Sequence, residues 1–152
     1  MEAACRRVEA WVADALVFTI PGEPQGKARP RFTMVGGHAR TYTPAKTVGY
    51  ERMVAVLARE AGVLPCEGPV TLSIAAHFLL PQSASKKRQA EMMKLRPTKK
   101  PDIDNVAKAI LDGLLSIAYG DDAQVVGLYV SKHWTDRDPC VVVHITREAD
   151  CV

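Results

Sequence analysis

The stretch from Pro97 to Gly120, PTKKPDIDNVAKAILDGLLSIAYG, leaves the chain less freedom than any other. Pro97 and Pro101 break whatever precedes them, because the residue before a proline is pushed out of the helical region. Behind them Ile103, Val106, Ala107, Ile110, Leu111 and Leu114 recur at helical spacing. The pattern predicts a helix beginning near Asp104, with Asp102 still extended and those six residues forming the buried face. At an extended lead-in, residues two apart point the same way, so Asp102 and Asp104 can aim at one point. On the polar side Lys108 stands one turn above Asp104, and Asp112 one turn above Lys108.

Charge on this stretch is lopsided. Pro101 to Val126 brings together five acidic residues, Asp102, Asp104, Asp112, Asp121 and Asp122, against one lysine, Lys108. Just upstream, Lys86, Lys87, Arg88, Lys94, Arg96, Lys99 and Lys100 fall within fifteen residues whose single acid is Glu91. Clustered carboxylates offer the hard oxygen donors that Mg²⁺ or Ca²⁺ takes, and Lys and Arg attract a phosphate backbone. An acidic pocket beside a basic approach points to a metal-dependent enzyme acting on a polyanion, that is, a nuclease. A plainer reading stands beside it: Asp102 as N-cap, Asp104 as partner of the helix dipole, Asp112 paired with Lys108, and Asp121 and Asp122 as turn residues. An EF-hand is excluded, since counting from Asp102 the glycine position holds Ala107 and the terminal glutamate position Gly113.

At 152 residues, 47% hydrophobic and 24% charged, the chain has the size of one globular domain that builds its own core. A net charge of +3 does not by itself announce nucleic-acid binding, so the electrostatic argument rests on distribution. Cys5, Cys66, Cys140 and Cys151 are far apart and form no Cys-x-x-Cys pair, which argues against a zinc ribbon and a secreted disulfide framework and for a reducing cytoplasm. No apolar stretch reaches the roughly 20 residues a membrane span needs, and the start lacks a secretory signal, so a soluble protein without a membrane partner is expected.

Residues 1–15 form an extension in which Ala4, Val8, Trp11, Val12 and Ala15 recur at helical spacing; the body of the chain, 16–152, follows. LVFTI, Leu16 to Ile20, reads as a strand, and Gly22 to Pro44 as a long loop carrying Lys27, Arg29, Arg31 and Arg40, suited to contacting phosphate. Thr43 as N-cap and Pro44 at the first helical position open a helix that buries Val48, Met53, Val56 and Leu57 and runs to Gly62. Pro69 to Leu80 is a strand, and Ser83 to Leu95 a helix with Ser85 as cap and a charged solvent side. After the acidic helix, Gln124 to Trp134 and Cys140 to Thr146 read as strands joined into an antiparallel hairpin by TDRDP. The fold class is α+β: a small mixed or antiparallel sheet packed with helices.

KPDIDNVAKAILDGL followed by YGDDAQV, with IPGEPQGKARPRFT and TYTPAKTVGYE before them, closely resembles the RusA family of Holliday-junction resolvases. The resemblance runs from about Phe18 to Thr146, and its most specific element is D-x-D-N-x-x-K followed by D-D-x-Q. It implies a small homodimeric endonuclease, of a kind often encoded by phages or prophages, that uses Mg²⁺ or Mn²⁺ to nick opposed strands of a four-way DNA junction. It further implies Asp102, Asp104 and Asp122 as metal-binding catalytic carboxylates and Lys108 as a functional lysine. Asp121, Asp112, Asn105 and Gln124 take supporting positions. The extension before Leu16 and the tail ending in Cys151 depart from the family pattern.

Two nicks placed symmetrically call for two sites related by a two-fold axis, hence a dimer. Lys27, Arg29, Arg31, Lys86, Lys87, Arg88, Lys99 and Lys100 are the expected phosphate contacts, which set affinity and leave branched-DNA preference to shape. Two rival readings stay open: a nuclease for another branched DNA such as a fork or flap, and a non-catalytic DNA-binding protein of the same fold.

Overall fold

The computed structural model describes residues 15–148, and the expected N-terminal helix over 1–15 falls almost wholly outside them. Six strands and three helices follow in the order β1 (Ala15–Pro21), β2 (Arg31–Val35), β3 (His38–Tyr42), α1 (Ala45–Glu60), β4 (Val70–Leu79), α2 (Lys86–Met92), α3 (Ile103–Leu114), β5 (Val125–Thr135) and β6 (Cys140–Arg147). A single 3₁₀ turn, Asp122–Gln124, leads into β5. This is the α+β fold expected.

Four strands make one sheet in the order β1-β6-β4-β5. β6 runs antiparallel to both neighbours, whereas β4 and β5 are parallel. A parallel pair needs a crossover, and the chain supplies it through α2 and α3. The expected β5–β6 hairpin is therefore wrong: β4 lies between the two, and residues 136–139 step over its end, where Leu80 N–H donates to the Thr135 carbonyl at 2.9 Å. β6 (CVVVHITR) is the more apolar of the pair and gains two neighbours by taking the inner place. β5 keeps Val126, Leu128 and Tyr129 exposed on the edge.

Alternation along β4 is strict, with Val70, Leu72, Ile74, Ala76 and Phe78 buried and the residues between them half-buried. Together with Leu16, Phe18 and Ile20 of β1 they receive the apolar faces of α1 (Tyr50, Val54, Ala58) and α3 (Val106, Ala109, Ile110, Leu114). α1 and α3 pack closely because Gly113 has no side chain: a Cβ there would stand 2.8 Å from Val54 and 3.1 Å from the Glu51 carbonyl oxygen. Ile103 is exposed rather than buried, since it precedes the first turn that touches the sheet, and Val56 likewise points to solvent.

Ser85 caps α2 as expected, accepting from Arg88 N–H at 3.2 Å. α1 starts one residue later than expected. Pro44 is the N-cap, with no side-chain hydrogen bond, so Thr43 does not cap it. The expected loop at 22–44 is in its larger part a ribbon instead, because β2 and β3 pair around Gly36–Gly37, whose φ values of 58° and 79° suit a two-residue hairpin turn.

Candidate functional site

The acidic helix is held from three sides. Asp102 is the N-cap of α3 in extended geometry (φ −66°, ψ 150°), and Asp104 lies in the first turn, both exposed. The Gly22–Arg29 loop docks against this turn: Lys27 N–H donates to the Asn105 carbonyl at 2.9 Å, and Gly26 passes so near that a Cβ would meet Pro101 at 2.8 Å and Asn105 at 3.1 Å. Asn105 thus supports the site through its backbone. At the far end, Gln124 uses its whole amide. Its oxygen accepts from Gly120 and Asp121 N–H (2.9 and 3.1 Å), and its nitrogen donates to the Cys66 and Gly68 carbonyls (2.6 and 3.0 Å). Asp121 accepts from Ala123 N–H at 2.8 Å, which makes it a cap of the turn. These bonds fix the place from which Asp122 extends.

Lys108 joins the two stretches. Its ammonium lies 3.1 Å from Asp112 and 3.8 Å from Asp122, so Asp122 meets α3 one turn from Asp104. Asp112 is in turn 2.8 Å from Lys27, and Lys27 also binds Glu51 of α1. The result is a continuous chain of charge, Glu51–Lys27–Asp112–Lys108–Asp122, across three elements. Burial alone would raise the Asp112 pKa, but its hydrogen bonds from Lys27 and Lys108 and their charges leave it lowered. Burial likewise works to lower Lys27, and the bonds and charges of Asp112 and Glu51 outweigh it and leave it raised. Tyr119, donating to the Leu111 carbonyl at 2.8 Å, is pushed well up by burial and by the nearby Asp122 and Asp112.

Asp102 stands apart from this chain. Both of its oxygens accept from Lys100 (2.8 and 2.7 Å), which is the main cause of its lowered pKa. α3 spans about 18 Å at 1.5 Å per residue, with Asp102 at its start and Asp122 reached from its middle. Accordingly, among the described residues no three His, Cys, Asp or Glu side chains stand close enough to hold an ion. The donor chemistry of Asp102, Asp104 and Asp122 suits a hard cation such as Mg²⁺, which keeps several waters. Their present spacing does not chelate one, and Asp102 and Asp122 are each paired with a lysine.

The expected phosphate contacts divide. Arg29, Arg31, Lys86, Lys87 and Arg88 are exposed, with Arg88 loosely paired to Glu91 at 3.9 Å. Lys99 lies over the Phe78 and Trp134 rings (5.3 and 5.6 Å), and Lys100 is taken by Asp102. Lys27 sits between two carboxylates. Two participants escaped the sequence reading. Glu51 is one, although it closes the TYTPAKTVGYE segment; the other is Lys132, which donates to the Pro101 carbonyl at 3.0 Å and to that of Lys99, tying β5 to the approach of Asp102.

The family model for endodeoxyribonuclease RusA matches residues 21–146, which include every residue of this site. The chain belongs to the RusA family. Membership places it among endodeoxyribonucleases. It is also 38% identical over 139 residues to the uncharacterized protein YqaN of Bacillus subtilis (strain 168), covering 87% of this chain and 96% of that protein. The RusA match begins at the end of β1 and closes within β6, so the ion-pair chain and both acidic stretches lie inside it. No helix among the described residues is long and apolar enough to cross a membrane.

Proposed function

We propose that this RusA-family chain is a Mg²⁺-dependent, structure-selective endodeoxyribonuclease that resolves four-way DNA junctions by paired nicks, with Mn²⁺ as an alternative ion. The observation that carries the reading is the Lys108 contact, which brings Asp122, from a separate stretch, to the face of α3 that bears Asp104. Asp102, Asp104 and Asp122 would hold the ion once Lys100 leaves Asp102 and Lys108 releases Asp122. When bound, the cation supplies charge neutralisation at the scissile phosphate and activation of the attacking water. Lys108, freed from Asp122 but still beside Asp112, is placed to donate to a phosphate oxygen as negative charge builds there.

Paired nicking needs two copies, and the sheet has a face suited to one. Opposite α1 and α3, the outward positions of the four strands include Val17, Thr19, Ser73, Ala75, Tyr129, Val142 and His144, and none of these is Asp, Glu, Lys or Arg. Depletion of charge marks the centre of protein interfaces. We place the homodimer contact here, and Ala75→Arg is expected to convert a dimer to a monomer in sedimentation.

The deciding experiment is cleavage of a synthetic four-way junction with and without Mg²⁺, alongside fork, flap and linear duplex at matched salt. Junction nicking that disappears in Asp104→Asn, with DNA binding retained, supports the proposal. Preferential cutting of the fork or flap would move the substrate, and binding without cutting under any divalent ion would leave a DNA-binding protein of the same fold. That last reading has one observation in its favour, that Asp102 and Asp122 are each paired with a lysine.

A further inference from the structure

The β2–β3 ribbon has two unlike faces. Cross-strand partners share a face, so Phe32 and Met34 stand with Thr41 and Ala39, while Arg31, Thr33 and Val35 stand with Tyr42, Arg40 and His38. Every residue of both strands is exposed, Phe32 at 78% and Met34 at 67%, the largest apolar exposures among the described residues apart from Leu95. A two-stranded ribbon alone in water is marginal, so such a surface is built to be covered.

Charge identifies the cover. From Pro24 to Tyr50 there is no acidic residue, while Arg29, Arg31, Arg40 and Lys46 lie in that interval besides the neutralised Lys27. At the foot of the ribbon, a cleft of about 460 Å³ is lined by Gly26, Arg31, Lys46, Lys100 and Pro101, one residue from Asp102. The cleft adjoins the acidic site, and Arg31 belongs both to it and to the basic face of the ribbon. This contrasts with the uncharged sheet face, which offers a phosphate backbone nothing.

We propose that the ribbon is a base-stacking wedge: the basic face follows the backbone, and Phe32, backed by Met34, inserts against bases that have no stacking neighbour at a DNA branch point. A two-stranded ribbon fits the major groove, and apolar side chains pushed between base steps unstack them. Continuous duplex charges an unstacking cost that a branch point does not, so the wedge discriminates by shape. The inference rests on the junction reading above and names the residues that make the selection.

The test uses the full chain carrying Asp104→Asn, so that DNA stays intact, and a four-way junction with 2-aminopurine at the branch point beside the same strands as linear duplex. Binding is expected to raise 2-aminopurine emission. Adding Phe32→Ala with Met34→Ala abolishes the rise and weakens junction binding by about 5- to 100-fold, leaving duplex affinity unchanged. Phe32→Trp retains the rise. Because both side chains lie outside the core, the double variant should keep the parent's circular dichroism and melting temperature. An undiminished rise in the double variant overturns the wedge, as does junction binding by the parent with no rise. So does a drop in sedimenting mass caused by the double variant, which would assign the apolar face to a second copy. A parent that binds no junction at all instead overturns the proposed function.

Discussion

Replacing Lys27 by Met separates two roles that its position in the sequence leaves open. The substitution keeps most of the apolar stem and removes the ammonium that joins Glu51 to Asp112, all three side chains being only 18–23% exposed. Exposed pairs contribute about 0.2–1 kcal/mol, and breaking a fully buried one costs about 3–5 kcal/mol. At this burial, and with Asp112 keeping Lys108 at 3.1 Å, the expected loss is about 2 kcal/mol, mainly from leaving Glu51 unpaired. For a chain of this size that lowers Tm by about 4–8 °C. Thermal unfolding followed by circular dichroism reads it, and Glu51→Gln in the same chain should recover part of the loss. DNA binding gives the second reading. Were Lys27 bound to a DNA phosphate, its removal would reduce the slope of log affinity against log salt by about 0.9, whereas a lysine occupied by carboxylates leaves the slope unchanged. A Tm within 1 °C of the parent, or a slope reduced by about one phosphate, would refute the hub assignment.

Gly26→Ala forces a Cβ to 2.8 Å from Pro101 and should cost about 1–3 kcal/mol while displacing the loop from α3, read as a lower urea midpoint. Gln124→Ala leaves two carbonyls and two N–H groups without their partner; about 1–3 kcal/mol is expected, with kcat for nicking reduced and KM for DNA unchanged, since Asp122 is misplaced while the basic surfaces are intact. Asp112 has a lowered folded pKa, so its stabilisation is complete above the unfolded value of about 3.9 and is lost as pH falls through the folded value. Asp112→Asn should therefore be less stable than the parent at neutral pH and converge with it in acid, measured as urea midpoints from pH 7 down to about pH 2. A parent curve with the same acid limb as the variant would contradict the ion-pair chain.

Local signals in the sequence carried most of the elements. Ser85 before a basic run, Pro97 and Pro101 before an apolar stripe, and the alternation from Val70 to Leu79 each specify their conformation within a few residues. What depended on distant partners was not legible. TDRDP looks like a hairpin turn, yet the same few residues are long enough to step over one strand, and only the greater apolarity of CVVVHITR shows that it takes the inner place. The ribbon carried a signal that composition hid: Gly36–Gly37 between RFTMV and HARTY is a two-residue turn, obscured by the exposure of both strands. In the site, the spacing of Asp104, Lys108 and Asp112 on one helix face was readable, as was the turn at Asp121–Asp122. The parts played by Lys27 and Glu51 were not, because each depends on the packing of α1 against α3, and a lone lysine in a basic loop looks the same whether it meets phosphate or carboxylate.

The last strand of the described residues sits inside the sheet. Among the described residues β6, residues 140–147, is the only strand that joins β1 to β4, so neither of those strands has its full set of backbone partners until β6 has been made. Truncation before Cys140 would remove that seam even though every acidic residue of the site is already present. A chain that has emerged only as far as residue 139 carries the acidic motif without the strand that joins the two parts of its scaffold.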